Sequence, residues 1–211
     1  MATDSVARAY DVVAGDYEER FLDELASKPR DRQLLDDAVR GDESGVILDV
    51  GCGPGQIGLY LQQKGNNVIG VDVSQAMAAR AAGRLMGAVV ADMRSLPFRG
   101  AAVGALVAFY SLIHLPRSSL GAAFGEFARV LEHNGRLLAS AHEGEGDVEI
   151  SEFLGHTVEL GASFLQLDEL VTAAEAAGFD VISAERRPPY EHEGPTVRLY
   201  VDATKRDDSA T

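Results

Sequence analysis

A chain of 211 residues, 46% hydrophobic and 25% charged, is long enough to bury a sizeable core in one globular domain. Its 33 acids against 19 bases give a formal charge of -14, and bases cluster only in pairs such as Arg186-Arg187 and Lys205-Arg206, which argues against a nucleic acid as substrate or partner. The single cysteine excludes an internal disulfide, no apolar stretch reaches a membrane span, and the polar start carries no secretory segment, so a cytoplasmic monomer or homodimer with no membrane partner is expected.

Residues 5–26 predict a helix, because Val6, Tyr10, Val13, Tyr17, Phe21 and Leu25 recur at intervals of three or four. Gly15 is expected to break it in two. The stripe reads as core-facing, or as two tyrosines lining a pocket. Pro29 starts a second helix to about residue 40, and 41–45 is a polar loop. A first strand, 46–50, ends in Gly51-Cys52-Gly53-Pro54-Gly55, and Gln56 to Lys64 has helical spacing. The second strand is 68–73, followed by Ser74 as N-cap of a helix to about Leu85. The third is short, 88–91, and ends at Asp92; the fourth, 103–109, is apolar enough to be buried on both faces. Ser118 or Ser119 caps a helix to about Arg129, His133-Asn134-Gly135 turns, and the fifth strand is 136–142.

Residues 143–166 show no clear repeat; their Phe153, Leu154, Phe164 and Leu165 suggest an ordered excursion over the sheet edge. Asp168 is expected to cap a helix to Ala177, ended by Gly178. The sixth and seventh strands, 179–186 and 196–203, have no helix between them and should pair as an antiparallel hairpin. The tail from Lys205 is polar and expected to fray. Strands alternating with helices predict an α/β fold with a doubly wound parallel sheet.

The chemistry gathers at the glycine turn. Gly53-Pro54-Gly55-Gln56-Ile57-Gly58 satisfies G-x-G-x-x-G, with Asp72 about 20 residues on, a pattern that alone suggests a dinucleotide. Three features oppose that. Asp49, before the glycines, would repel a pyrophosphate and suits an ammonium. Pro54 offers no N–H. Asp92-Met93 ends the third strand, an acid for an exocyclic amine beside an apolar side chain for a ring face.

Leu48-Asp49-Val50-Gly51-Cys52-Gly53-Pro54-Gly55, Gly70-Val71-Asp72-Val73-Ser74, Val90-Ala91-Asp92-Met93 with Leu96-Pro97-Phe98, Phe109-Tyr110-Ser111-Leu112-Ile113-His114-Leu115 and Val130-Leu131-Glu132-His133-Asn134-Gly135 follow one another in order. The set resembles the motifs of class I S-adenosylmethionine-dependent methyltransferases, of the small-molecule type. His133-Asn134 stands where Pro-Gly is more usual. The resemblance covers about residues 8–204. It implies a Rossmann-like three-layer αβα sandwich whose seven-strand sheet has the order 3-2-1-4-5-7-6, with strand seven antiparallel. It implies a single domain over 1–211, with a helical lid at 1–42, a segment at 143–166 over the acceptor site and a loose tail at 205–211.

Carried over by residue, the resemblance puts the methionine end of S-adenosylmethionine, or of the product S-adenosylhomocysteine, at Asp49, Gly51 and Gly53. It puts the ribose at Asp72, the adenine among Val73, Asp92 and Met93, and Tyr10, Tyr17 and Tyr110 around the donor. Electron-rich rings suit a sulfonium. The acceptor, a small organic molecule of apolar or cationic character, is expected among Tyr10, Tyr110, His114, His142, Glu143 and Phe153. His114 and His142 are candidate bases, needed when the nucleophile must lose a proton. A metal held by His142, Glu143 and His192 is demanded by no spacing, and none is expected. The implied reaction is in-line methyl transfer to O, N or C. Two other readings stay open: a protein that binds the donor without transferring its methyl, and an NAD-dependent oxidoreductase.

Overall fold

A computed structural model describes residues 3–39 and 45–207. The polar loop expected at 41–45, apart from Gly45, and the tail beyond 207 lie outside the described residues. Nine strands are present among the described residues: β1 Val46–Val50, β2 Asn67–Asp72, β3 Gly87–Val90, β4 Val103–Phe109, β5 Leu131–His142, β6 Asp147–Phe153, β7 His156–Ser163, β8 Phe179–Arg187 and β9 Arg198–Lys205. Six α-helices accompany them among the described residues: α1 Thr3–Phe21, α2 Pro29–Ala38, α3 Gln56–Gln63, α4 Gln75–Ala82, α5 Leu120–Val130 and α6 Leu167–Ala176.

Seven strands form one sheet in the order β3-β2-β1-β4-β5-β9-β8. β9 runs antiparallel to both of its neighbours. Counting within the sheet, β8 and β9 are the sixth and seventh strands, so the expected order holds. The β-branched and leucine run of β1 is central and apolar on both sides. Ile47, with Val68, Val107 and Leu138, packs against Leu34 and Leu35 of α2, Ile57 and Leu61 of α3 and Ala81 of α4. Leu48 and Val50, with Leu106, Ala108 and Leu137, pack against Phe124 and Phe127 of α5 and Leu170 of α6. Each fully buried Phe or Leu contributes about 1.5–3 kcal/mol, so the two layers fix the sheet firmly. The parallel register Val50↔Val71, Asp72↔Val90 and Phe109↔Ser140 sets the carboxyl ends of five strands along one edge.

Three local expectations are corrected. α1 is unbroken through Gly15. A glycine inside a helix costs about 0.5–1 kcal/mol. Here α1 is tied to α4 on either side of it, by Asp11 accepting from Ser74 Oγ and Ala76 N at 2.6 and 2.9 Å and by Glu18 pairing with Arg80 and Arg84. The N-cap of α6 is Gln166, not Asp168: its side chain and Glu169 form a reciprocal capping box. β5 begins at Leu131, running through Asn134 at φ 61 with a register shift against β4, so the expected turn is an irregularity within the strand.

Residues 143–166 are ordered, as expected, and take a form the sequence did not show: β6 and β7, an antiparallel hairpin outside the main sheet. Leu154 and Gly155, both at positive φ, form its two-residue turn, the geometry a tight hairpin demands. Val158 and Leu160 of β7 pack on Val6, Ala9 and Val13 of α1, in a small third core above the sheet edge.

Candidate active site

A cavity of about 730 Å³ lies along the carboxyl ends of β1, β2, β4 and β5, beneath α1 and the β6–β7 hairpin. Its floor is the glycine turn. Gly51 sits at φ +71, and a β-carbon there would overlap Ser111 Cβ, so β1 passes into the turn hard against the segment after β4. Ser111 Oγ closes that contact by donating to the Val50 carbonyl at 2.8 Å.

Two of the donor-end residues do not reach the cavity wall. Asp49 is fully buried, and its Oδ2 accepts from the Gly58 amide at 2.9 Å inside the first turn of α3. Burial raises its carboxyl to about 7, against the lowering effect of that amide. It therefore braces the glycine turn from beneath rather than facing a ligand. Gly53 is also outside the wall; its amide donates to Asp72 Oδ2 at 2.8 Å. Gly51, Asp72, Val73, Asp92, Met93, Tyr10, Tyr17 and Tyr110 do line the cavity.

Asp72 ends β2, where each carboxylate oxygen takes one backbone amide, from Gly53 and from Ser74, both at 2.8 Å. Burial raises it to about 6, with those amides pulling the other way. One lone pair on each oxygen is still available to the cavity. Asp92 is held by Arg94 Nε and Nη2 at 2.9 and 2.5 Å, and accepts from Thr3 Oγ1 of α1 at 3.1 Å. The Arg94 side-chain bonds hold its carboxyl below the usual range. A dinucleotide does not fit this floor. The Gly53 amide that a pyrophosphate would need is taken by Asp72, and the buried carboxyl of Asp49 stands behind the turn.

The roof is aromatic. Tyr10 and Tyr17 meet edge to face at 5.8 Å, and Phe153 of the hairpin stands 6.4 and 6.3 Å from them. Tyr10 shares a hydrogen bond with His114 Nε2 at 2.7 Å, and His114 Nδ1 faces the Gly161 carbonyl at 2.9 Å. A carbonyl only accepts, so Nδ1 carries the proton and the tyrosine hydroxyl donates to Nε2. Burial lowers the His114 pKa and raises that of Tyr10. This chain of bonds joins α1, the segment after β4 and β7.

The far end is polar. Tyr110 sits at φ 54 just beyond β4, a conformation costing a non-glycine residue about 1–2 kcal/mol. Its hydroxyl is bound into a buried cluster, 3.1 Å from Asp31 and 2.9 Å from Tyr200, so it shows the cavity its ring. His142 stacks on that ring at 5.0 Å. Burial, then the nearby charges of Arg198 and Lys28, push His142 down to about 4. His142 Nδ1 lies 2.9 Å from Thr196 Oγ1, which itself accepts from Arg198 Nη1 at 2.7 Å. The threonine hydroxyl, with one proton and two lone pairs, can pair with Nδ1 in either tautomer of the imidazole.

Glu143 does not belong to the site. It pairs with Arg186 on the outer surface and is not among the cavity-lining residues. The sequence reading missed Glu24, Lys28, Gln56, Glu193, Thr196 and Arg198, all of which line the cavity. Gln56 had a signal, as the first helical residue after the turn. The others come from segments with no motif. Among the described residues no group of three His, Cys, Asp or Glu is placed to hold a metal, and no helix is long and apolar enough to cross a membrane.

The seven-strand order, with the glycine turn and Asp72 and Asp92 at its carboxyl edge, is that of a Rossmann-like α/β domain. Residues 47–135 match the family model described as a methyltransferase domain. Over 159 residues the chain is 31% identical to the biotin biosynthesis bifunctional protein BioHC of Saccharophagus degradans, covering 69% of this chain and 28% of that protein. Two uncharacterized methyltransferases of Geobacillus species are each spanned over 61% of their length, so the chain covers only part of the curated relatives it matches. Among solved structures, a Burkholderia thailandensis 1,6-didemethyltoxoflavin-N1-methyltransferase superposes with a TM-score of 0.69 at 20% identity, covering 98% of this chain and 92% of that one. The [4+2]-cyclase SpnF superposes with a TM-score of 0.67 at 22% identity, covering 84% and 80%. The chain thus has the fold of the class I S-adenosylmethionine-dependent methyltransferases, as its motifs implied, and its residues 47–135 are similar to a methyltransferase domain.

Proposed function

We propose that the protein transfers the methyl group of S-adenosylmethionine to an O, N or C nucleophile of a small organic acceptor. The observation that carries this reading is Gln56 Oε1, a buried acceptor with no partner at the glycine turn, in one cavity with Asp72 and Asp92. An orphaned buried acceptor costs about 1–3 kcal/mol, so it calls for a ligand donor. With Glu24, whose Oε1 lies 3.4 Å from Gln56 Nε2, it suits an ammonium. Asp72 suits a ribose diol, and Asp92 beside Met93 suits an adenine amine once Arg94 yields a lone pair. The donor brings its own activation, a methyl on a sulfonium.

The chain's own work is alignment and exclusion of water. α1 serves as lid and the β6–β7 hairpin as the segment over the acceptor. Tyr17, Tyr10 and Phe153 dry the reaction zone. Where the nucleophile carries a proton, Tyr10 Oη accepts it as the tyrosine's own proton passes to His114 Nε2, leaving an imidazolium. His142, held at about 4, is too weak a base at neutral pH and is better placed to hold the acceptor.

The test is transfer of a labelled methyl group into fractions of a cell extract. Label in the small-molecule fraction is expected; label in RNA or protein alone would overturn the acceptor class. The SpnF likeness favours a second reading, donor binding without transfer, since a protein named as a cyclase has this fold. That reading predicts S-adenosylhomocysteine binding with no label moved. Stabilisation by NADH and not by S-adenosylhomocysteine in a thermal shift would instead revive the oxidoreductase.

A further inference from the structure

The methionine end of the proposed donor is a zwitterion, an ammonium and a carboxylate on one carbon. The groups that suit the ammonium are Gln56 Oε1 and Glu24. The carboxylate must then lie beside them. A short 3-10 turn, Glu24–Ser27, joins α1 to α2 at this point. Its Leu25 is buried in one core with Ile57 and Leu61 of α3, which sets Glu24 and Lys28 next to Gln56. Lys28 is only 8% exposed and lines the cavity. Its Nζ donates to Glu24 Oε2 at 2.6 Å and lies 3.6 Å from Glu193 Oε1, beyond hydrogen-bond distance. An ammonium has three N–H groups, so Nζ keeps donor capacity after Glu24 is served. Glu24 Oε1 stands at the long distance of 3.4 Å from Gln56 Nε2 and keeps acceptor capacity in the same way.

We propose that Lys28 determines specificity for the donor: its ammonium holds the donor's carboxylate, while Glu24 and Gln56 hold the donor's ammonium. The Lys28–Glu24 pair carries no net charge, and neither does the amino-acid end it receives. Laid against the pair in the opposite sense, the zwitterion gives every charge an opposite neighbour. The pair stays intact and no net charge is buried, which is the condition for keeping ions in a shielded site. A ligand with the ammonium alone would leave one positive charge in excess beside Lys28. Arg20, the other cation on this side of the wall, is exposed, and an exposed pair contributes little beside a buried one. This role rests on the proposed donor and adds what the fold does not supply: the site discriminates against a donor that has lost its carboxylate, through a residue outside every glycine-turn motif.

The test is calorimetry on the full chain with three probes: S-adenosylhomocysteine, its decarboxylated analogue, which keeps the ammonium, and 5′-methylthioadenosine, which lacks both groups. The wild-type protein should bind S-adenosylhomocysteine about ten-fold or more tighter than the decarboxylated analogue, the gain of a charge-assisted contact. Lys28→Met should bring the two within about three-fold of each other by weakening S-adenosylhomocysteine alone, with methylthioadenosine unchanged. Lys28→Arg should keep the preference. A purely structural role would weaken all three probes together, and that result with the fold intact overturns the proposal. So does equal binding of S-adenosylhomocysteine and its analogue by the wild type, a preference that survives Lys28→Met, or a preference lost in Arg20→Gln. Where Lys28→Met does not fold, Lys28→Gln takes its place with the same expected outcome. Failure of the wild type to bind both S-adenosylhomocysteine and methylthioadenosine is failure of the donor reading; binding of both with no preference for the carboxylate is failure of the Lys28 role alone.

Discussion

Replacing Asp72 with asparagine separates binding from folding. In the folded protein its carboxyl is raised from 3.8 to about 6 by burial. At about 1.36 kcal/mol per pKa unit, keeping it ionised at pH 7 costs the fold about 3 kcal/mol. Asparagine removes that cost. It also has one oxygen where the carboxylate has two, so either the Gly53 or the Ser74 amide must face an NH2 group. That loss costs about 1–3 kcal/mol. The two effects offset, and the melting temperature should move by less than about 5 °C. Donor binding has no such offset. A ribose hydroxyl loses a charged acceptor worth about 1.5–3 kcal/mol, so the dissociation constant for S-adenosylhomocysteine should rise about 10- to 100-fold. Calorimetry and thermal unfolding in one buffer at pH 7.5 measure both. Unchanged affinity would refute the ribose assignment; loss of affinity together with collapse of the fold would make Asp72 a scaffold residue.

The affinity for S-adenosylhomocysteine should fall as pH drops through about 6, because the ribose donates to ionised Asp72. Binding should then release protons near that pH, seen by calorimetry in buffers of different ionisation enthalpy; proton uptake would contradict the sign. Tyr10→Phe should lower turnover by about ten-fold or more while donor affinity stays within about three-fold, since it cuts the link to His114; normal turnover would remove the relay. Gly51→Ala should cost about 3 kcal/mol or more in urea unfolding, from left-handed backbone strain plus overlap with Ser111; a change under about 1 kcal/mol would mean the turn can yield.

The glycine-turn half of the candidate site was legible because its parts are local. Asp49 to Gly55 is one strand and one turn, Asp72 and Asp92 each end a strand, and their order along the chain fixes their order along the sheet edge. Sequence could show that Asp49 is near the turn but not which way it points; packing of α3 on β1 buries it toward Gly58. The hairpin had a signal, the alternation of Val148 and Ile150 and of Val158 and Leu160, diluted by nearby glycines and acids. Gly15 was misread because propensity is weak beside the contacts of Asp11 and Glu18 with α4. The polar end could not be read at all. Lys28 precedes α2, Glu193 and Thr196 lie in an irregular connection, and Arg198 starts β9. Only the antiparallel placement of β9 beside β5 sets Arg198 opposite His142.

A crystal structure with S-adenosylhomocysteine tests the central claim most directly. The account predicts ribose hydroxyls on Asp72, adenine between Asp92 and Met93, the ammonium at Gln56 Oε1, and the sulfur facing the space between Tyr10 and His142. The ligand in another cleft, or in this cavity with its ribose away from Asp72, would contradict it.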